Sequence, residues 1–254
     1  MVNIGLQLYS IREAAEKDFL GTIERVGDMG YRGIQFAGFF NTPANDLKKV
    51  MDQKGIVPAG SHINPLVFES LEDQLDEVLQ YNNEIGNNLI ICPSISEELR
   101  KTSDDYKRRA DAFNKIGTKC KQNGFIFAYH NHNFEFDLFN NERGFDILFE
   151  NTDPELVKIE LDCYWATYAG LDPNSIIKKY GDRIVSLHIK DLKHVNGEKR
   201  SIEIGSGELD FSGLVKVGQD NGIKWFIVEQ EQFDADPMES SKINIQNLKQ
   251  LITK

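Results

Sequence analysis

FIFAYHNHNFEF, residues 125–136, is the stretch on which the reading of the whole chain turns. It opens as a short aromatic and apolar run bounded by Gly124, with no helical period, and so reads as a buried strand. Side chains alternate across a strand, so Ile126, Ala128, His130 and His132 share one face. Two imidazoles therefore project together at the carboxyl end. The same plan recurs outward from this point, a short apolar run closing on a polar side chain. VKIELD ends at Asp162, IVSLH at His188 and WFIVE at Glu229.

Extended over the chain, the plan predicts eight strands: Ile4–Tyr9, Gly33–Ala37, Ile56–Ser61, Asn88–Cys92, Phe125–His130, Val157–Asp162, Ile184–His188 and Trp225–Glu229. Amphipathic helical patterns separate them, and a last one follows Asp236. Gly30, Gly55, Gly86, Gly124, Gly181 and Gly222 each stand shortly before a strand, where a left-handed residue ends a helix cheaply. Repeated strand–helix units without a linker predict an α/β fold, a (β/α)8 TIM barrel, as a single domain over residues 1–254. An open doubly wound sheet is the alternative, because a strand count does not establish closure.

The bulk composition narrows the function. The formal net charge is −11 and the pI near 5.0. Such a field repels polyphosphate, and no basic patch offsets it, so no nucleic-acid partner is expected. The stretch Lys190–Arg200 mixes both signs and reads as a solvated loop. Three cysteines, Cys92, Cys120 and Cys163, show no CxxC spacing, which excludes a disulfide framework or thiolate zinc site and fits a reducing cytoplasm. No run has the length of a membrane span, and none resembles a leader; a cytoplasmic protein with no membrane partner is expected.

In a parallel barrel, function collects at the carboxyl ends of the strands. Four of the five histidines, His62, His130, His132 and His188, fall there. His130, Asp162, His188 and Glu229, from four successive strand ends, form a mixed nitrogen and oxygen set. It suits one divalent ion, Mn²⁺, Zn²⁺, Co²⁺ or Fe²⁺ before Mg²⁺. Each member also has a plain structural reading: a lone strand-end histidine such as His62 commonly makes a structural hydrogen bond, and Asp162 suits a helix N-cap. Glu160 and Lys158, deeper on the same wall, read as an internal ion pair.

The strings QLYSIRE, AYHNHNFEF, ELDCYW, LHIKD, IGSGELDF and IVEQEQ, in that order, resemble the xylose isomerase-like barrel superfamily, in particular its sugar phosphate isomerases and epimerases. The resemblance implies a metal on Glu, Asp, His and Glu, two of these carboxylates serving epimerases as acid and base. The matching positions here are His130, Asp162, His188 and Glu229. His130 stands where many relatives have Glu, and it cannot act as a carboxylate base. Glu135 is expected to swing in as ligand or base, with His132 as the competitor.

The mechanism implied is isomerisation or epimerisation of a sugar, keto-sugar or sugar phosphate: the metal grips a carbonyl and a neighbouring hydroxyl, and an enediolate forms. Glu229 is the expected proton carrier, opposed by His132 or Glu135. Substrate contacts are expected from His62, Lys190, Asp191, Trp165 and Tyr9. Backbone N–H groups at Gly205 and Gly207 are expected to bind an anion or form a tight turn. The alternatives are a metal-dependent lyase or dehydratase acting on a keto-sugar or 3-keto-glycoside, and a sugar-binding barrel without turnover. The partner is a small carbohydrate in each case, and a homo-oligomer is left open.

Overall fold

The computed structural model describes residues 2–69 and 73–253. All eight expected strands form: β1 (Asn3–Gln7), β2 (Gly33–Phe36), β3 (Val57–His62), β4 (Leu89–Cys92), β5 (Ile126–His130), β6 (Val157–Asp162), β7 (Ile184–Ile189) and β8 (Trp225–Val228). Each is parallel to its neighbours, and β8 returns to β1 with Asn3 opposite Trp225 and Leu6 opposite Val228, so the sheet is a closed TIM barrel. Closure, which counting strands left open, is settled by that last ladder.

Alternation along β5 shows how the sequence divides its side chains between two cores. Phe127 and Tyr129 point outward and meet Phe113 of the helix Ser103–Gln122, with ring centroids 5.4 and 5.3 Å apart. Each such buried ring contributes roughly 1.5–3 kcal/mol relative to exposure. Ala128 and His130 point inward. At mid-depth the barrel interior is filled by Leu89, Ile91 and Ala128, and the polar site lies above them.

Helix ends behave as their sequence implies. Gly30 and Gly55 close their helices at φ of 92° and 66°, a region that costs a residue with a Cβ. β1 ends two residues earlier than expected: Gln7 caps a 3-10 turn over Leu8–Ile11, which places Tyr9 on the rim. A larger departure concerns Lys190–Arg200. It is no open loop but an antiparallel hairpin, Asp191–Val195 paired with Glu198–Ile202. Asn196 and Gly197, at φ of 53° and 85°, form its turn. An Asn-Gly pair between alternating residues is the signal that identifies such a hairpin in sequence.

Candidate metal centre and active site

Strand register builds the centre. His130 is level with Glu160, and Asp162 with His188, across the β5–β6 and β6–β7 ladders. Glu160 is fully buried and lies at the heart of the lower layer. Its Oε1 takes His62 Nε2 at 2.6 Å, His188 Nε2 at 3.0 Å and His130 Nδ1 at 3.2 Å. Its Oε2 accepts from Gln35 Nε2 at 2.5 Å and Ser186 Oγ at 2.7 Å. Burial pushes this carboxyl up, but the imidazoles and their hydrogen bonds outweigh it and hold the group well below the usual range.

Acceptors at this floor dictate which ring nitrogens face the mouth. A carboxylate only accepts, so the Gln35 amide nitrogen must face Glu160, and Gln35 Oε1 must accept. It does so from Gln7 Nε2 and from His188 Nε2, both at 2.7 Å. His188 therefore carries hydrogen on Nε2 and turns Nδ1 toward Glu229 Oε2, 3.1 Å away, and Asp162 Oδ2, 3.9 Å away. His130 follows the same rule: Nδ1 faces Glu160 and Nε2 lies 3.9 Å from Asp162 Oδ2. A carboxylate behind a histidine, fixing its tautomer and orientation, is the usual support of a metal-ligating imidazole.

Asp162 is held from both sides. Its Oδ1 accepts from Trp165 N at 2.8 Å, capping the short helix Cys163–Tyr168, so the N-cap reading is correct for one oxygen. Asn131 clamps its backbone, accepting from Asp162 N at 2.9 Å and donating to Asp162 O at 3.3 Å. Oδ2 is buried without a hydrogen bond. Burial raises this carboxyl to about 6, although Lys190 and His188 pull it down.

Two sets of side chains could hold an ion among the described residues: His62, His130, Glu160 and His188, or His130, Asp162, His188 and Glu229. An ion bonded at about 2.0–2.2 Å separates adjacent ligand atoms by roughly 3 to 3.5 Å. In the lower set all contacts converge on one oxygen at hydrogen-bonding distance. The upper set has the wider spacing, and its Asp162 Oδ2 is buried with no hydrogen bond and only the Lys190 ammonium, 3.1 Å away, to offset its charge, so a divalent ion fits there. These are the four residues singled out in the sequence.

A cavity of about 430 Å³ opens on this upper set, lined in part by His62, His130, His132, Glu229 and Glu231. Lys190 is buried beside it, with Nζ 3.1 Å from Asp162 Oδ2, 2.8 Å from Glu229 Oε2 and 2.5 Å from Glu231 Oε1. Burial opposes its charge, but these three carboxylates outweigh burial and keep the ammonium's pKa raised. Tyr9 lines the cavity from the rim. Trp165 lies beneath the Lys190 ammonium, 5.3 Å from the ring centroid, with its Nε1 buried and unpartnered.

Other expected site residues are placed differently. Glu135 does not swing into the centre: it is fully buried, takes the Tyr129 hydroxyl on Oε1 and accepts from His132 N at 2.8 Å on Oε2. Burial raises it to about 7. Asp191 does not reach for substrate. It organises the 204–211 loop, with Oδ2 accepting from Gly205 N and Gly207 N at 2.9 and 2.8 Å and Oδ1 from Leu209 N at 3.1 Å. The anion cradled by those glycine amides is thus the protein's own carboxylate. Lys158 makes no pair with Glu160 and instead meets Glu155 at 3.7 Å. Gln35, Gln7 and Asn131 escaped the sequence reading, and Glu160 was read only as half of an internal ion pair. Glu160 had a signal, since it stands two positions before Asp162 and so shares its strand face.

Comparison with known proteins agrees with this geometry. A family profile described as a xylose isomerase-like TIM barrel matches residues 23–251. The inosose dehydratase of Clostridium beijerinckii is 24% identical over 250 residues, covering 85% of this chain and 83% of that protein. A sugar phosphate isomerase/epimerase structure from Parabacteroides distasonis superposes with a TM-score of 0.85 at 28% identity, covering 98% of both chains. The IOLI protein, whose structure holds a zinc atom, shares the fold with a TM-score of 0.78 at 12% identity over 99% of this chain and 98% of that one. The chain belongs to the xylose isomerase-like TIM barrel family and is an enzyme of it.

Proposed function

We propose that the protein is a divalent-metal-dependent isomerase or epimerase of a keto-sugar, sugar or sugar phosphate, working through an enediolate. The observation that carries this is the upper ring: two imidazoles with tautomers set from below and two carboxylates, their ligand atoms gathered together, with His130 and Glu229 lining a cavity of about 430 Å³. His130, Asp162, His188 and Glu229 would hold the ion. The ion supplies charge stabilisation to a carbonyl oxygen whose neighbouring carbon loses a proton. Mn²⁺, Zn²⁺, Co²⁺ and Fe²⁺ suit the donor set best.

Glu229 lines the cavity and is the carboxylate assigned to move the carbon-bound proton. Lys190, bonded to both Glu229 and Glu231, steadies negative charge at that wall. His132, flanked by Phe134 and Trp165, lines the cavity and keeps a buried Nδ1 without a hydrogen bond. Two observations favour elimination as a second reading: His130 replaces a carboxylate, and the relatives at 24% identity are named dehydratases.

The test is incubation of the metal-loaded protein with ketoses and inosose in D₂O, followed by NMR. Deuterium at a retained carbon is expected; release of water selects the second reading. Glu229→Gln should lower turnover by about 10²–10⁴-fold while leaving the fold intact by circular dichroism. Tight sugar binding with no product in any assay would sink the enzymatic proposal.

A further inference from the structure

Interconverting a ketone with its neighbouring alcohol moves two protons, one on carbon and one on oxygen. Glu229 accounts for the first. Among the imidazoles and carboxylates lining the cavity, His130 and Glu229 belong to the metal set, Glu231 is bonded to Lys190, and His132 has no carboxylate bonded behind its ring. His62 remains, and its surroundings are those of a proton carrier.

The His62 side chain is 11% exposed, at the cavity wall. Its Nε2 lies 2.6 Å from Glu160 Oε1, the shortest of the three imidazole contacts to that oxygen. Glu160 is fully buried and also bonded to Gln35 and Ser186, so it remains an acceptor and fixes hydrogen on Nε2. Nδ1 then carries the lone pair. It has no hydrogen bond among the described residues and is not closed off by protein atoms. The ring meets two members of the upper metal set, His130 edge-on with centroids 5.0 Å apart and His188 stacked with centroids 5.4 Å and planes 5° apart, and is not itself one of that set's four residues.

We infer that His62 is the second proton carrier of the site, taking the hydroxyl proton of a bound ketol at Nδ1 while Glu160 stabilises the imidazolium through Nε2. In that step the O–H bond breaks, the N–H bond forms and the electron pair stays on oxygen. The same proton passes to the other oxygen of the enediolate as Glu229 returns the carbon-bound proton to the neighbouring carbon. A buried carboxylate behind an imidazole holds its tautomer and favours the charged ring that forms in the transition state. Glu160 is then a positioning residue for three imidazoles together. The assignment rests on the isomerase reading above.

His62→Gln is the test, because Gln keeps an amide nitrogen near Nε2 for Glu160 but offers no ring nitrogen to accept a proton. L-ribulose, D-fructose and inosose serve as probes in D₂O with Mn²⁺. The variant is expected to keep wild-type metal content and to exchange the carbon-bound proton within about tenfold of wild type, while interconversion slows by about 10²–10⁴-fold. His62→Asn, which abandons the bond to Glu160, should show the same split with weaker exchange. Interconversion within about threefold of wild type in His62→Gln, equal loss of exchange and interconversion, or loss of metal would each overturn the assignment. If the wild-type chain itself neither exchanges nor interconverts any ketose, the isomerase reading fails first and this assignment with it.

Discussion

The floor around Glu160 and the ring around Asp162, two residues apart on one strand, differ in how their polar atoms are used. At the floor both carboxylate oxygens are filled, by three imidazoles, an amide and a hydroxyl. Around the ring His132 Nδ1 and Trp165 Nε1 are buried with no partner, and Asp162 Oδ2 makes no hydrogen bond but faces the Lys190 ammonium at 3.1 Å. An unmet buried polar group costs about 1–3 kcal/mol. A fold tolerates that cost where something else is to be bound. The floor is therefore structural in its energetics and positioning in its effect, whereas the ring keeps polar atoms available, as the proposed binding of a cation and a polar substrate requires.

Substitutions should separate the two layers. The largest effect belongs to the floor: Glu160→Leu takes the acceptor from four donors, His62, His130, Gln35 and Ser186, and should cost about 3–5 kcal/mol, read from urea denaturation. A loss below about 1 kcal/mol would place Glu160 among dispensable groups and erase the distinction. An intermediate effect belongs to the ring. Adding Mn²⁺ or Zn²⁺ at about 100 times its Kd should stabilise the wild type by about 2.7 kcal/mol, measured by thermal denaturation. Asp162→Asn should remove that gain. The smallest effect concerns Trp165→Phe, which deletes an unpartnered N–H. Folding stability should change by less than about 1 kcal/mol, towards gain, with the metal response kept and KM for the ketose raised. A clear loss of stability would show that Nε1 has a partner in solution.

The two strand-end aspartates show why one-dimensional reading separates roles unevenly. Asp162 and Asp191 both follow an apolar run and both invite a substrate or metal role. Asp162 has one oxygen spent on a helix cap and the other turned toward the Lys190 ammonium at the cavity side of the ring. Asp191 is fully engaged by backbone amides 14 to 18 residues further on, supplied by a loop whose path the sequence does not state. Glu135 was misplaced for a similar reason. Its carboxylate is claimed by Tyr129, an outward-facing residue of the preceding strand, and folds back behind it rather than toward the ion.

Strand periodicity, the glycine stops before the strands and the polar strand ends are local properties, because backbone geometry acts within a few residues; they were enough to read eight strands and to nominate the four ring residues, while closure of the barrel was left open. Register, tautomer and satisfaction are decided between residues far apart in sequence, such as His62 and Glu160, 98 positions apart. Which oxygen is left unpaired, which imidazole nitrogen faces the cavity and which carboxylate supports rather than binds depend on distances of a few tenths of an ångström across the closed barrel. Those distances exist only once β8 has paired with β1.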